Sequence, residues 1–429
     1  MQHERSQVRG LASTPSNRAA AALVVASLFF ERFERINEDG SYPILPFPDL
    51  FFVAAIGIFA AKVAWELGHG RVRLRPLGTK DFVLIAFVAL LGVLSLISVV
   101  TQPETITSGI QVVKTYSHLL FLLGAALLLG RTLSSALVVW VLLVYFAGSV
   151  TTAVLGIVQA IDQNVGSGGL SEALDLVSRP GAEGFLRPCS IFSEPALFGY
   201  HSLGGIVIAL TLVSSRNRLV GAIGAAICAV GFLLASAAGP FAVAVPLALY
   251  GIFKWRVLFP PRIVPTLASV LALAALVFFL TPVNATVTAR AETLAEGEDA
   301  SAELRSELNE GSLEVWELSP VTGVGLGNSR RHLSGFVEVS YYPGGTFEFN
   351  SASAYVNLLG EAGPLGPLAL LVTLVLLWRR NAGAPREPEE VTRVFIVILA
   401  LQFIIINPFV MPPLWFWAGL RLPLQTPED

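Results

Sequence analysis

The chain has 429 residues, of which 54% are hydrophobic and only 14% are charged. A soluble protein has about 25% charged residues, so this chain has too few charges to cover a water-exposed surface, and its mean hydropathy is +0.68. The two cysteines exclude a disulfide scaffold, and a formal net charge of -3 argues against a nucleic-acid-binding surface. The composition therefore predicts an all-α integral membrane protein.

Apolar stretches of about 20 residues, the length needed to cross the hydrocarbon core, recur along the chain. The first is the weakest, because charged residues follow Phe30, and a cleaved signal peptide is the alternative there. The eighth is short and contains Pro240 and Pro246, which favour a kink. We predict about eleven spans (ten to twelve), at residues 19–36, 44–67, 82–100, 106–130, 133–161, 191–213, 219–236, 240–254, 263–281, 353–378 and 394–411.

The distribution of basic residues predicts the orientation of these spans. With the N-terminus in the cytoplasm, most of the 28 Lys and Arg residues fall in cytoplasmic tails and short loops. The chain then divides into an N-terminal bundle (1–281, with an outer loop at 162–190), a large outer loop (282–352) and C-terminal spans (353–429). Residues 291–315 favour one or two amphipathic helices. A loop this long is uncommon unless it is functional, so we expect the chemistry on the outer face.

The first candidate site is the segment R-P-C-S-I-F-S-E-P at residues 187–195, at the outer mouth of the sixth span. Arg187 can clamp a phosphate through two hydrogen bonds, and Glu194 can accept a proton from a hydroxyl. A plain helix start is the alternative, because Pro195 suits the first helical position and Glu194 would face the positive end of the helix dipole.

The second candidate is the segment P-V-T-G-V-G-L-G-N at residues 320–328. Alternating glycines allow a backbone to approach a ligand and to present N–H groups to an anion. The spacing differs from the G-x-G-x-x-G of a dinucleotide site, and a simple turn is the alternative. The residues predicted here to bind substrate or diphosphate are Gly323, Gly325, Gly327, Asn328, Arg330, Arg331 and His332.

Further polar residues lie in or next to the fourth and tenth spans. Glu361 falls inside an apolar run, where an ionisable side chain favours a function, although a neighbouring helix could simply satisfy it. Lys114 and His118 are one helical turn apart and share a face, the alternative being a Lys that snorkels to the interface. The binding residues predicted in these two regions are Lys114, His118, Asn350, Tyr355 and Glu361.

Together these motifs resemble the O-antigen polymerase and O-antigen ligase superfamily of bacterial membrane glycosyltransferases. Residues 187–195 look like its R-x-x-S-x-F-x-E-P segment, and residues 355–366 look like its Y-L-x-x-L-x-E-x-G-x-x-G tail. Arg305 matches an Arg that precedes the P-x-x-G-x-G-x-G-N stretch of the family, here residues 320–328. The resemblance covers most of the chain and implies a type-C glycosyltransferase-like fold.

One departure from the family pattern concerns the reaction. The ligases carry a His ahead of this tail, and the corresponding position here is Ala352, followed by Ser353. The resemblance therefore favours a polymerase of polysaccharide repeat units over a ligase that passes glycan to lipid A core or protein. A membrane transporter is the alternative from another class, but we find no convincing internal repeat of the kind that transporters show.

The resemblance implies a donor glycan on a polyprenyl diphosphate, an acceptor hydroxyl on another lipid-linked repeat unit, and inversion at the anomeric carbon. Arg187 and Arg305 are expected to balance the charge of the leaving diphosphate, with Glu194 as the base. No metal or other cofactor is expected, because no Asp, Glu or His cluster has convincing ligand spacing.

We expect a multi-pass protein of the bacterial inner membrane with its site facing outward, and the product to be O-antigen, capsular or exopolysaccharide. The expected partners are the lipid-linked glycan, the bilayer, and flippase and chain-length regulator proteins, but no nucleic acid.

Overall fold

The computed structural model shows a bundle of helices with one small two-stranded sheet. The residues it describes are 11, 13–29, 47–166, 168–174, 176, 178–180, 186–192, 195–213, 216–253, 300–336, 351–379, 386–405, 407 and 412–421, with seven single residues between 268 and 292.

The first half of the chain contains seven helices and both strands: α1 (Pro15–Ser27), α2 (Phe47–Gly68), α3 (Thr79–Thr101), α4 (Gly109–Thr132), α5 (Ser135–Asn164), α6 (Gly169–Ala173), β1 (Ser178–Pro180), β2 (Leu186–Pro188) and α7 (Pro195–Ile208), which a π-helical turn (Ala209–Val213) extends. The second half contains α8 (Arg218–Ala235), α9 (Ala238–Phe253), α10 (Ala300–Glu317), α11 (Ser329–Phe336), α12 (Ala354–Ala362), α13 (Leu365–Trp378), α14 (Arg386–Ile405) and α15 (Pro412–Arg421).

Six helices of the described chain are long and apolar enough to cross a membrane. They match six of the predicted spans, and they are Leu50–Gly68, Thr79–Thr101, Gly109–Thr132, Ser135–Asn164, Pro195–Val213 and Arg218–Ala235. Two shorter apolar helices, Ala238–Leu249 and Leu365–Trp378, overlap with the predicted eighth and tenth spans. The prediction of an all-α, multi-pass membrane protein is confirmed, while the total of eleven spans stays a prediction.

The remaining predicted spans differ in extent or lie outside the described residues. Helix α1 has 13 residues and starts at Pro15, where the Thr14 side chain accepts a hydrogen bond from the Asn17 amide. The predicted first span at 19–36 therefore begins earlier, and its second half falls outside the description. The ninth span, at 263–281, lies outside it except for single residues. The eleventh, at 394–411, is helix α14, which starts at Arg386 and ends at Ile405.

The tenth predicted span, residues 353–378, is divided into two helices. Helix α12 ends at Ala362, Gly363 adopts a left-handed φ of 64°, and α13 starts after Pro364. A left-handed glycine followed by a proline ends a helix, because the proline has no N–H to continue the backbone ladder. Helix α12 packs on the polar helix α10, so Glu361 lies outside the apolar helix α13.

Helix α15 was not predicted from the sequence. Its residues Leu414 to Leu420 are all buried, and the Trp417 ring stacks on Phe395 of α14 with centroids 3.6 Å apart. Gly419 lies so close to α4 that an added Cβ would be 2.9 Å from the Ala126 carbonyl oxygen. Ten residues are too few to span a bilayer, which is why the hydropathy pattern did not reveal this buried helix.

Two groups of polar contacts lie at opposite ends of helices α3 and α4. At one end Arg75 pairs with Asp81 at 3.0 Å, Arg131 donates to the Arg75 carbonyl, and Lys80 donates to the Arg379 carbonyl. We call this the basic end. At the other end of α3, Ser98 donates to the Gly323 carbonyl at 2.9 Å. Since 23 residues of helix extend about 34 Å, roughly the thickness of a bilayer core separates the two ends.

Candidate functional site

The strand pair β1–β2 fixes Arg187 next to the junction between helices α8 and α9. Arg187 pairs in register with Arg179, and its Nη1 donates to the Ser236 carbonyl at 3.4 Å. Asn164, the last residue of α5, holds the neighbouring Leu186 through both its backbone groups, at 2.7 and 3.0 Å. The guanidinium of Arg187 is thereby placed at the end of α8, where Ser236 adopts a left-handed φ of 43°.

The segment after Arg187 is anchored on α5 before helix α7 begins. The Ser190 amide donates to the Gln159 side chain, and the Ser190 hydroxyl donates to the Thr152 carbonyl, each at 2.8 Å. Helix α7 then begins at Pro195, which is within the predicted span 191–213 and agrees with the alternative of a helix start there. Glu194, the predicted base, lies outside the described residues, so its role stays a prediction.

Tyr200 of α7 lies at the same junction, with a buried hydroxyl. The side chain is 6% exposed, and its oxygen has no hydrogen-bond partner within the described part of the chain. A Cβ added at Gly239, near the start of α9, would be 2.9 Å from this oxygen. The charge of Arg305 on α10 is close enough to act on the Tyr200 hydroxyl. The junction that holds Arg187 therefore also contacts Tyr200, and the charge of Arg305 acts on the hydroxyl of that tyrosine.

Arg305 and the start of α12 are linked by one turn of α10. Asn309 lies four residues after Arg305, so the two side chains share a helix face. The Asn309 side-chain oxygen accepts hydrogen bonds from the Ser351 hydroxyl at 2.8 Å and from the Ser353 amide at 3.1 Å. Ala352 lies between these two serines. Ala352, the position that corresponds to the ligase His in the resemblance, therefore lies beside Asn309.

Helix α14 connects the start of α12 with the α8–α9 junction. The Ser353 hydroxyl donates to the Phe403 carbonyl at 3.1 Å, and Ile405, two residues on, packs 3.4 Å from the Cβ position of Gly239. We name this group the arginine site, and it consists of Arg187, Tyr200, Ser236, Gly239, Arg305, Asn309 and residues 351–353. Sequence motifs predicted Arg187, Arg305 and the importance of position 352, but Tyr200 and Asn309 belong to no motif that we recognised.

Residues 320–328, which we name the glycine loop, lie against α3, α4 and α12. Every amide from Gly323 to Asn328 donates to a protein acceptor. Those acceptors are the carbonyls of Ser319, Gly360, Glu361 and Gly325, the Ser95 hydroxyl and the Glu361 carboxylate. The expectation that Gly323, Gly325 and Gly327 present their N–H groups to an anion does not fit this structure, because those groups already have partners.

The carbonyl groups and glycines of the loop have partners or close contacts as well. Ser98 and Gln102 of α3 both donate to the Gly323 carbonyl at 2.9 Å, and Thr107 donates to the Val324 carbonyl at 2.8 Å. Gly327 has a φ of 75°, and a Cβ there would overlap with the Thr115 hydroxyl. The glycines allow the loop to pack closely between three helices.

A buried polar cluster connects α11 and α12 beneath the loop. The Ser329 hydroxyl lies 2.8 Å from Glu361 Oε1 and 3.0 Å from Asn357 Oδ1. Burial raises the pKa of the Glu361 carboxyl, while hydrogen bonds from the Gly327 amide and Ser329 oppose that shift. Glu361 therefore holds the loop and α11 together, which agrees with the alternative of a carboxylate satisfied by its neighbours.

The other predicted binding residues lie around this layer. Arg330 donates to the Gln111 side-chain oxygen, once that amide is oriented to face the guanidinium. His332 Nε2 lies 2.8 Å from the Ile106 carbonyl, and exposed Arg331 reaches Asn328 Oδ1 at 3.5 Å. Lys114 is exposed and His118 half-buried on α4.

The structure describes only one of Tyr355 and Asn350, which were both predicted to bind substrate. The Tyr355 hydroxyl donates to the Ala400 carbonyl of α14 at 3.2 Å, which fastens α12 to that helix. Asn350 lies outside the described residues. The described residues contain no group of three or more His, Cys, Asp or Glu side chains placed to hold a metal ion, and the expectation of a metal-free reaction stays a prediction.

Comparison with known proteins identifies one family. Residues 206–371 match the family model described as O-antigen ligase, which confirms the resemblance to the O-antigen polymerase and ligase superfamily. The match contains Arg305, the glycine loop and α12, whereas Arg187 and Tyr200 precede it. No curated protein and no solved structure matches the chain significantly.

Proposed function

From the premise that residues 206–371 form a domain of the O-antigen ligase family, whose members are membrane glycosyltransferase-like enzymes, we propose that this protein polymerises lipid-linked oligosaccharide repeat units. The donor is a glycan on a polyprenyl diphosphate, and the acceptor is a hydroxyl of a second lipid-linked unit. The product is a surface polysaccharide such as O-antigen, capsule or exopolysaccharide.

The observation that supports this proposal most directly is the arginine site. Arg187 and Arg305 come from motifs more than a hundred residues apart, and Tyr200 and the α8–α9 junction link them. In this proposal both guanidinium groups bind one diphosphate, since each has a planar fork of donors that matches phosphate oxygens.

The proposed reaction uses this charge to stabilise the leaving group. An acceptor hydroxyl attacks the anomeric carbon while the bond from that carbon to the diphosphate oxygen breaks, and the configuration inverts. Negative charge then develops on the diphosphate, next to Arg187 and Arg305. The proton of the attacking hydroxyl passes to a base, for which we propose Glu194. In this proposal no metal ion takes part.

Polymerase activity is proposed over ligase activity because of Ala352. This residue lies between Ser351 and Ser353 beside Asn309, and a methyl group can neither donate nor accept a proton. The matched family is described as O-antigen ligase, so transfer of a finished glycan to lipid A core or protein is the second candidate. Deletion of the gene separates them: single repeat units on the cell surface indicate a polymerase, and lipid-linked long chains that reach no acceptor indicate a ligase.

The site is proposed to face outward from the inner membrane, since the basic end lies at the opposite ends of α3 and α4 and basic loops stay in the cytoplasm. Cysteine labelling tests this orientation. Ser306→Cys on the exposed face of α10 is expected to react with an impermeant maleimide in cells with a permeabilised outer membrane. Arg73→Cys, exposed near the basic end, is the matched control and is expected to react only after lysis.

The unmodified protein provides a low background for this experiment, because Cys189 and Cys228 are both buried. The reverse labelling pattern would contradict the orientation, and with it the outward-facing site. Ser312 is a poor choice for labelling, since it is fully buried in the contact between α10 and α12.

A further inference from the structure

Several buried hydroxyls of the membrane helices bond to the protein: Ser149 donates to the Tyr145 carbonyl, Thr152 donates to the Ser149 carbonyl, and Tyr145 bonds to His201 at 2.9 Å. The buried hydroxyls of Tyr200 and Ser202, both on α7, differ from these. Tyr200 is 6% exposed and has no such partner within the described residues. Burial of a hydroxyl without a hydrogen bond costs free energy, so a ligand that supplies the partner accounts for its place.

The surroundings of the hydroxyl indicate which ligand. The oxygen packs closely against Gly239, where an added Cβ would lie 2.9 Å from it. The positive charge of Arg305 acts on it from α10, and Arg187 binds the carbonyl of Ser236, three residues before Gly239. A donor O–H on which the charge of Arg305 acts, next to the junction that binds Arg187, suits an anionic oxygen.

We propose that Tyr200 is a substrate-binding residue of the arginine site, and that its hydroxyl donates a hydrogen bond to a diphosphate oxygen of the lipid-linked substrate. This inference rests on the proposed function, because it takes the diphosphate carrier from it. Tyr200 holds the diphosphate from the α7 side, while Arg187 and Arg305 approach it from β2 and α10. The hydroxyl adds no charge and contributes direction, since a single O–H donates along one line.

The test measures binding of farnesyl diphosphate to purified protein in detergent, with farnesol as the uncharged control. Tyr200→Phe removes only the hydroxyl and keeps the ring. A hydrogen bond to a charged group is worth enough to weaken farnesyl diphosphate binding about tenfold to a hundredfold in this variant, while farnesol binding stays unchanged. The melting temperature is expected to stay the same or rise, because the lost hydroxyl has no protein partner within the described residues.

Tyr145→Phe is the matched control, since it removes a buried tyrosine hydroxyl that bonds to His201 in the helix core. It is expected to lower the melting temperature and to leave farnesyl diphosphate binding unchanged. Gly239→Ala provides an independent variant, because the new Cβ would lie 2.9 Å from the Tyr200 oxygen and occupy the space beside it. Weaker farnesyl diphosphate binding is expected here too.

The outcomes separate this inference from the proposed function. Equal farnesyl diphosphate affinity in wild type and Tyr200→Phe overturns the role of Tyr200, as does a wild-type protein that does not bind farnesyl diphosphate. If Tyr200→Phe does not fold, wild-type affinity in Gly239→Ala overturns the role instead. If the wild type binds the diphosphate in a Tyr200-dependent way but forms no polymer from lipid-linked repeat units, the polymerase proposal fails and this inference stands.

Discussion

The arginine site and the glycine loop lie at the same end of the helix bundle, and each is made from motifs that suggest an anion-binding site. In the glycine loop, all six amides from Gly323 to Asn328 donate to protein acceptors. In the arginine site, the Tyr200 hydroxyl lacks a partner within the described residues, and Arg305 forms no hydrogen bond or ion pair there.

This contrast shows how to distinguish a ligand-binding site from a segment that only holds helices together. Glycines with left-handed backbones fit both purposes, because they allow close approach by a ligand or by another helix. The deciding property is whether the polar groups are already bonded within the protein. By this measure the glycine loop positions α10, α11 and α12, whereas Tyr200 and Arg305 are the two polar residues of the arginine site without a hydrogen bond among the described residues.

The largest effect on the rate of polymerisation is expected at Glu194. This effect would identify the base and would add a catalytic residue that the glycine loop lacks. Glu194→Gln removes the carboxylate, and loss of a proton-transfer group lowers a rate about 10²–10⁴-fold. Polymerisation by the purified variant from lipid-linked repeat units measures this effect, and substrate binding is expected to stay nearly intact. If Glu194 only begins a helix, the change costs about 0.3–1 kcal/mol of stability and turnover stays near the wild-type value.

The next largest effect is expected at Arg305. Loss of one donor to a developing oxyanion lowers turnover about 10²–10³-fold, which is the expectation for Arg305→Ala. Arg305→Lys is expected to be a poor replacement, because the planar fork is lost while the charge is kept. Glu307→Ala, two residues away on the exposed face of α10, is the matched control and is expected to act like the wild type. Full-length polymer from Arg305→Ala at normal expression would remove Arg305 from the site.

A stability effect distinguishes the glycine loop from the arginine site. Gly327→Ala places a side chain at a φ of 75°, which costs about 1–2 kcal/mol for the backbone alone, and the Cβ also overlaps with Thr115. Gly124→Ala on α4 is the matched control: no atom outside the helix lies near its Cβ position, and Ala favours a helix interior by about 1 kcal/mol.

Thermal unfolding in detergent is the measurement for both glycine variants. Gly327→Ala is expected to unfold at a lower temperature, and Gly124→Ala at the same or a higher one. A Gly327→Ala protein that keeps its stability but loses farnesyl diphosphate binding would contradict the structural role of the loop.

The smallest effect is expected at Asn309, which supports the arginine site without touching the substrate. Asn309→Ala leaves the Ser351 hydroxyl and the Ser353 amide without their acceptor, and a typical hydrogen bond is worth about 1 kcal/mol. A small drop in melting temperature and a modest loss of polymerisation are expected. A loss as large as that of Arg305→Ala would show that Asn309 itself acts in the reaction.

The sequence by itself determined the class of the protein and the identity of its motifs. Low charge and repeated apolar stretches established a multi-pass α-helical membrane protein, and six of the predicted spans appear as long apolar helices. This works because a bilayer requires each segment to satisfy its own backbone hydrogen bonds, so hydropathy can be interpreted one helix at a time. The motifs around Arg305 and Glu361 were sufficient to predict the resemblance to this superfamily, which the match at residues 206–371 supports.

Only the tertiary structure showed which motif residues are already bonded within the protein. The glycines of the loop have their amides bonded to protein because α3, α4 and α12 converge on them, and no local pattern encodes that convergence. Tyr200 and Asn309 gained their significance from neighbours more than a hundred residues and more than forty residues away along the chain. Helix α15 is too short for a hydropathy signal and is stabilised by packing on α4 and α14. Contacts between distant segments depend on how whole helices pack, and such packing is a property of the assembled bundle.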